Sequence, residues 1–200
     1  MKASPKKLLP LILIAIAVTS LFSVQPAQAF TMTVTQNGAN VVWTGSGAFN
    51  LTGLTQGTGG LSGPSVINAS IGEIAIHSGS TIENIYSGFT GPGSFGSGGQ
   101  FFADSFSGDF VTLFASLLLL PQSYISGDPL SDSMTFNGAT IHSLGVTPGT
   151  YVWSWGTGLP NQNFTLIIPG VPDGGSTVSL LGFALLGLAA VRRKLRGKTS

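Results

Sequence analysis

Thr150-Tyr151-Val152-Trp153-Ser154-Trp155-Gly156 alternates aromatic side chains with small or β-branched ones. Alternation with period two marks an extended strand, whose successive side chains point to opposite faces. Tyr151, Trp153 and Trp155 therefore share one face. Similar short runs recur at 31–35, 40–44, 48–54, 65–71, 73–77, 81–86, 100–103, 110–120, 123–126, 133–137, 140–144 and 164–168. Gly, Pro and Asn separate them, and no window sustains the i, i+3, i+4, i+7 spacing of an amphipathic helix. The run 110–120 is almost continuously apolar up to Pro121, as in one strand buried on both faces, with a short helix as the alternative. Asn137-Gly138 is a tight-hairpin signal, and Pro148-Gly149 marks another turn. Many short strands joined by turns predict an all-β fold: an antiparallel β-sandwich or jelly-roll-like single domain over residues 30–170.

Charge is partitioned sharply along the chain. All eight Lys and Arg lie at the two ends: Lys2, Lys6, Lys7, Arg192, Arg193, Lys194, Arg196 and Lys198. Residues 30–172 contain none, and carry Glu73, Glu83, Asp104, Asp109, Asp128 and Asp132. A segment without cations cannot neutralise phosphates, so nucleic acid is excluded as a partner. Each carboxylate lacks an ammonium or guanidinium partner, and must be solvated, hydrogen-bonded to backbone N–H groups or bound to a cation. There is no cysteine, hence no disulfide and no thiolate nucleophile.

The ends read as addresses. A basic start, an apolar run from Leu8 to Phe22 and the small-x-small site Ala27-Gln28-Ala29 predict a signal helix, residues 1–29, cleaved by signal peptidase after Ala29. Residues 171–200 predict a second address: the motif Val171-Pro172-Asp173-Gly174-Gly175, an apolar helix over 177–191 and a basic tail over 192–198. A helix of that length spans about 22 Å at 1.5 Å per residue. The hydrocarbon core is roughly 30 Å thick, so the short transmembrane helix is marginal, a transient anchor. Arg192, Arg193, Lys194 and Arg196 form a stop-transfer cluster that holds the tail's end in the cytoplasm. The predicted location is across the inner membrane, then the cell surface or the exterior.

Motif, short helix and basic cluster together resemble the PEP-CTERM class of bacterial sorting tails, and the motif looks like its VPDSG variant, with Gly174 where the variant has Ser. The resemblance implies recognition by an exosortase, a membrane-embedded cysteine transpeptidase. It would cut near Pro172 and Asp173 and release or re-attach the exported domain, in a diderm bacterium that makes extracellular polysaccharide. Trp43-Thr44-Gly45-Ser46-Gly47, the stretch 120–127 and the stretch 143–156 are also similar to the exported domain of many PEP-CTERM proteins. That family has no agreed activity and supplies no catalytic residue.

Nothing in the residues compels a reaction. G-x-S occurs at Gly63-Pro64-Ser65 and at Gly174-Gly175-Ser176 without the closing Gly of a nucleophile elbow. His77 and His142 lie in predicted strands and read as structural histidines. Gly91-Pro92-Gly93-Ser94-Phe95-Gly96 matches G-x-G-x-x-G by letter only; without a βαβ context it reads as a flexible loop. Asp104 with Asp109, and Asp128 with Asp132, leave calcium open as a weak ligand without matching an EF-hand. The chain has no catalytic residue set, no cofactor and no fixed metal site, and is not read as an enzyme.

Tyr151, Trp153 and Trp155 are a candidate glycan platform if exposed, and ordinary core filling if buried. Thr31, Thr33 and Thr35 also share a face, but ice binding needs a broad ranked array and one strand is too little. The expected function is an exported surface or matrix protein, sorted by an exosortase and associated with exopolysaccharide or biofilm. The alternatives are a carbohydrate-binding module, with or without calcium, and a secreted carboxylate-dependent hydrolase.

Overall fold

The structure, a computed structural model, describes residues 28–59, 63–76, 83–114, 116–170, 180–188 and 192. In β1 (Phe30–Asn37) the residues Phe30, Met32 and Val34 are fully buried, while Thr33 and Thr35 face solvent. The two-residue turn Gly38-Ala39, with Gly38 at φ 60°, leads into β2 (Asn40–Gly47), so a tight hairpin forms there. The strands that follow are β3 (Thr55–Gly59), β4 (Val66–Asn68), β5 (Glu73–Ile76), β6 (Glu83–Ser87), β7 (Gln100–Phe102), β8 (Ser105–Gly108) and β9 (Val111–Phe114). The chain closes with β10 (Leu117–Pro121), β11 (Leu130–Phe136), β12 (Gly149–Ser154) and β13 (Asn163–Ile168).

Two sheets result. One has six strands in the order β12-β13-β1-β2-β11-β8, the other seven in the order β3-β6-β10-β9-β5-β4-β7. Their inner faces share one hydrophobic cluster, with Met32, Trp43, Met134 and Leu166 from the first sheet and Ile67, Ile74, Leu113 and Leu118 from the second. Two sheets closing over one core is the predicted sandwich.

Several details differ from the sequence expectation. β1 pairs parallel with β13, in register from Phe30↔Phe164 to Thr33↔Ile167, so the sandwich is not purely antiparallel. The chain consequently enters the sheet at one end and leaves it at the other. The run 110–120 is a hairpin and not one strand: β9 and β10 pair antiparallel, Leu118 with Leu113. The expectation of burial on both faces holds, since Leu113 and Leu118 point into the core while Thr112 and Leu119 are buried on the other side. Residues 48–54, 123–126 and 140–144 lie in turns and coil, and β3 and β8, with little apolar content, were not expected as strands. Asn137-Gly138 is a turn, with Gly138 at φ 63°, but β11 pairs only with β2 and β8, so no hairpin follows it.

The glycine-rich loop is also not loose. Phe95 is fully buried against Trp43, its N–H donates to the Ala69 carbonyl (3.0 Å), and Gly96 bridges Val146. A Cβ on Gly98 would run into the Leu144 carbonyl, which is why glycine serves there.

Candidate functional site

The two address segments fall mostly outside the described residues: Ala27, the motif Val171, Pro172, Asp173, Gly174 and Gly175, and Arg193, Lys194 and Arg196. Ala29 is described, and forms a bridge with Ala48. The Ala48 N–H donates to the Gln28 carbonyl (2.8 Å) and the Phe30 N–H to the Ala48 carbonyl (3.2 Å). Phe30 itself is fully buried and stacks on Phe49, ring centroids 4.7 Å apart. In the folded chain a bond held this way between Ala29 and Phe30 is closed to a peptidase. At the other end residues 180–188 are helical, and Leu180, Phe183, Leu186 and Leu188 expose two thirds or more of their surface. Arg192 is exposed. Among the described residues no helix is long and apolar enough to cross a membrane.

The aromatic row is not an open platform. Tyr151, Trp153 and Trp155 do share a face, and it is the inner one: Trp153 is 2 % exposed, Trp155 6 %, and Tyr151 is half-buried against the core. The indole N–H groups are spent inside, Trp153 Nε1 on the Pro92 carbonyl (3.0 Å) and Trp155 Nε1 on the Asn50 carbonyl (2.7 Å). Burial of large aromatic area with a satisfied N–H is the core role of tryptophan. Burial leaves no open aromatic row, which corrects the expectation of an exposed platform; of the three rings only Trp155 lines the cleft described below.

The carboxylates separate into two kinds. Asp104 and Asp109 bracket β8, where the chain passes from the seven-stranded to the six-stranded sheet. Asp104 Oδ2 accepts from the Asn137 N–H and Asp109 Oδ2 from the Ser131 N–H, both at 2.7 Å. Backbone amides thus replace the missing cations as their partners. Asp132 is different. It sits on the inner face of β11 between Leu130 and Met134, is 4 % exposed, and neither of its oxygens has a hydrogen-bond partner. Burial pushes its carboxyl up to about 7; the Gly45 amide pulls the other way without reaching hydrogen-bond geometry, and the charge of Asp109 adds to the rise. Burial also raises Glu73.

Gly45 faces Asp132 across the β2–β11 pair. A Cβ at Gly45 would occupy the place of Asp132 Oδ1 and touch the Phe30 ring. Gly45→Ala is therefore expected to destabilise by about 1–3 kcal/mol, the usual cost of overpacking. Asp132→Ala should relieve part of that cost, which a double-mutant cycle by chemical denaturation measures.

His142 lies exposed in a turn and not in a strand, and His77 falls outside the described residues. An open cleft of about 660 Å³ lies between Gly88–Thr90 and the loop 156–163. It carried no sequence signal, because Thr90, Ser154, Leu159 and Asn161, which line it beside three glycines, form no contiguous motif. Gln162 lies buried in it, with Nε2 donating to the Thr52 carbonyl (2.6 Å) and Oε1 accepting from the Thr157 (3.1 Å) and Leu159 (2.8 Å) N–H groups. That amide braces the loop. No ionisable side chain lines the cleft, so it holds no acid or base. Among the described residues no three metal-ligating side chains come together.

Comparison with known proteins agrees with the tail. No curated protein and no solved structure matches the chain. Residues 170–195 match the family described as VPDSG-CTERM motif, so the C-terminal segment is a sorting tail of the VPDSG type within the PEP-CTERM class.

Proposed function

We propose that this chain is an extracellular or cell-surface protein, exported by its leader and handed to an exosortase by its tail, and that the β-sandwich is its mature cargo. The VPDSG-CTERM match at residues 170–195 carries the sorting part. The order of the chain supports it: β13 ends at Ile168, directly before the motif, so a cut there leaves the sandwich whole. The exposed apolar helix 180–188 has no protein surface over it, as a segment bound for a lipid environment requires. Association with exopolysaccharide is part of the proposal, supported by the class of tail and by a domain without cations, which suits neutral matrix better than polyanions. The domain's role is structural or binding and not catalytic: Asp104 and Asp109 brace backbone, Asp132 lies in the core, and the cleft holds no ionisable group.

The test expresses the full chain in hosts with and without an exosortase. With the enzyme, the mature C-terminus read by mass spectrometry should fall inside residues 171–175, and deletion of residues 171–200 should abolish surface display. Identical C-termini in both hosts would refute the sorting assignment.

A further inference from the structure

Strand register assembles what no single strand shows. On the outer face of the six-stranded sheet, one row across the strands reads Thr150, Ile167, Thr33, Thr44, Ser133 and Ser107. The next row reads Val152, Thr165, Thr31, Ser46 and Ser131, and a third Thr35, Val42, Thr135 and Ser105. No ionisable or aromatic side chain stands in these rows; Asp109 lies past the end of one, at the corner of the sheet, and Asp132 on the same strand points inward. Thr33, Thr35, Thr44 and Ser46 are exposed. The outer face of the other sheet has no such order: it carries Glu73, Gln100 and the exposed Phe102.

We infer that this face, centred on β1 and β2, binds ice. The array has the chemistry and the spacing for it. Threonine offers a methyl that excludes mobile water beside a hydroxyl that anchors an ordered one. A charged group would organise water radially about itself and break a lattice. Strands lie about 4.8 Å apart and alternate residues about 6.7 Å apart along a strand. Water joined tetrahedrally by O–H···O bonds of about 2.75 Å repeats at about 4.5 Å between second neighbours and about 7.3 Å along the stacking axis. Each spacing agrees within about a tenth. Sheet twist of about 20–25° per strand limits coplanarity to three or four neighbours, which places the working surface on β13, β1, β2 and β11. A neutral glycan is disfavoured because this face has no aromatic ring to stack on. A second copy is disfavoured because a stable interface wants an apolar, aromatic-rich centre.

The experiment freezes the purified full chain slowly in mild detergent and measures its partition into the ice, with detergent alone and an inert protein as blanks. Enrichment in ice and inhibited recrystallisation are expected. The pair Thr33→Tyr and Thr44→Tyr should cut the partition about tenfold, equivalent to 1.4 kcal/mol of lost adsorption, while Gln100→Tyr on the opposite sheet leaves it unchanged. Thr33→Val keeps shape and strand propensity, and should give a smaller loss with an unaltered melting curve. Partition no greater than the inert protein overturns the proposal. So does retention on an insoluble neutral glucan, or dimerisation through this face, without ice activity. None of these outcomes depends on exosortase processing, so the two assignments fail separately.

Discussion

Moving the folded chain from pH 4.5 to pH 7.5 is expected to cost it about 3 kcal/mol of stability, because Asp132 must lose a proton inside the core. Its carboxyl titrates near 7 when folded, against an ordinary value of 3.8. Between those values the unfolded chain is ionised while the folded chain keeps its proton. The folded state binds more protons, so stability falls as pH rises from about 4 to about 7 and levels off above. Each pH unit in that window is worth about 1.4 kcal/mol. In a thermal melt the change amounts to a drop of roughly 10 °C for a domain of this size. Glu73, also raised by burial, acts in the same direction. Asp132→Asn keeps the volume and removes the ionisation, so its melting temperature should vary far less with pH and exceed that of the parent at pH 7.5. A parent equally stable at both pH values would show that water or a cation reaches Asp132.

A buried unpaired carboxylate is a feature that sequence does not disclose. Asp132 stands in Ser131-Asp132-Ser133, a polar run that reads as solvent-facing. Only the pairing Asp132↔Gly45, with Leu130 and Met134 in phase, turns it inward. The same limit governs the rest of the site. Alternation gave the strand type of 31–35, 40–44, 150–156 and 164–168 correctly, because period two is a local property. It gave the shared face of Tyr151, Trp153 and Trp155, but not whether that face was inner or outer, which depends on the opposite sheet. Thr31, Thr33 and Thr35 were recognisable as one column, while the columns beside them come from strands up to 134 positions away, as the pair Thr31 and Thr165 shows. Register between distant strands is set by the whole core, and no local signal carries it. The apolar run 110–120 failed for the opposite reason: two strands and their turn are all nearly apolar, so composition hides the reversal. The sorting motif was legible, because its signal is contiguous.

Phe49→Ala is expected to remove about 4 kcal/mol, the scale of deleting a fully buried ring that leaves a cavity. Phe49 occupies no strand; it lies in the coil after β2, yet it is the hub of the aromatic cluster. It stacks on Phe30 at 4.7 Å and Phe164 at 6.2 Å, and meets Trp155 at 6.0 Å and Tyr124 edge-on at 6.5 Å. Phe30 and Phe164 are opposed in the parallel β1–β13 pair, so the ring supports the junction where the first and last strands meet. Its backbone is fixed too: the Phe49 N–H donates to the Tyr124 hydroxyl (2.8 Å), which in turn reaches the Asp128 carbonyl (3.0 Å). Phe102→Ala, at an exposed ring, should change stability by less than about 0.5 kcal/mol and serves as the control. Against a typical total of about 5–15 kcal/mol, the loss at Phe49 is a large fraction. At pH 7.5 it adds to the cost of ionised Asp132, and Phe30 lies between the two, touching Phe49 and the space at Gly45 beside Asp132. The variant should therefore fold at pH 5 and melt near or below room temperature at pH 7.5, with a departure from additivity that measures their coupling through Phe30. A midpoint for Phe49→Ala within 2–3 °C of the parent at both pH values would mean that the cluster collapses onto the vacancy and that the junction does not depend on this ring.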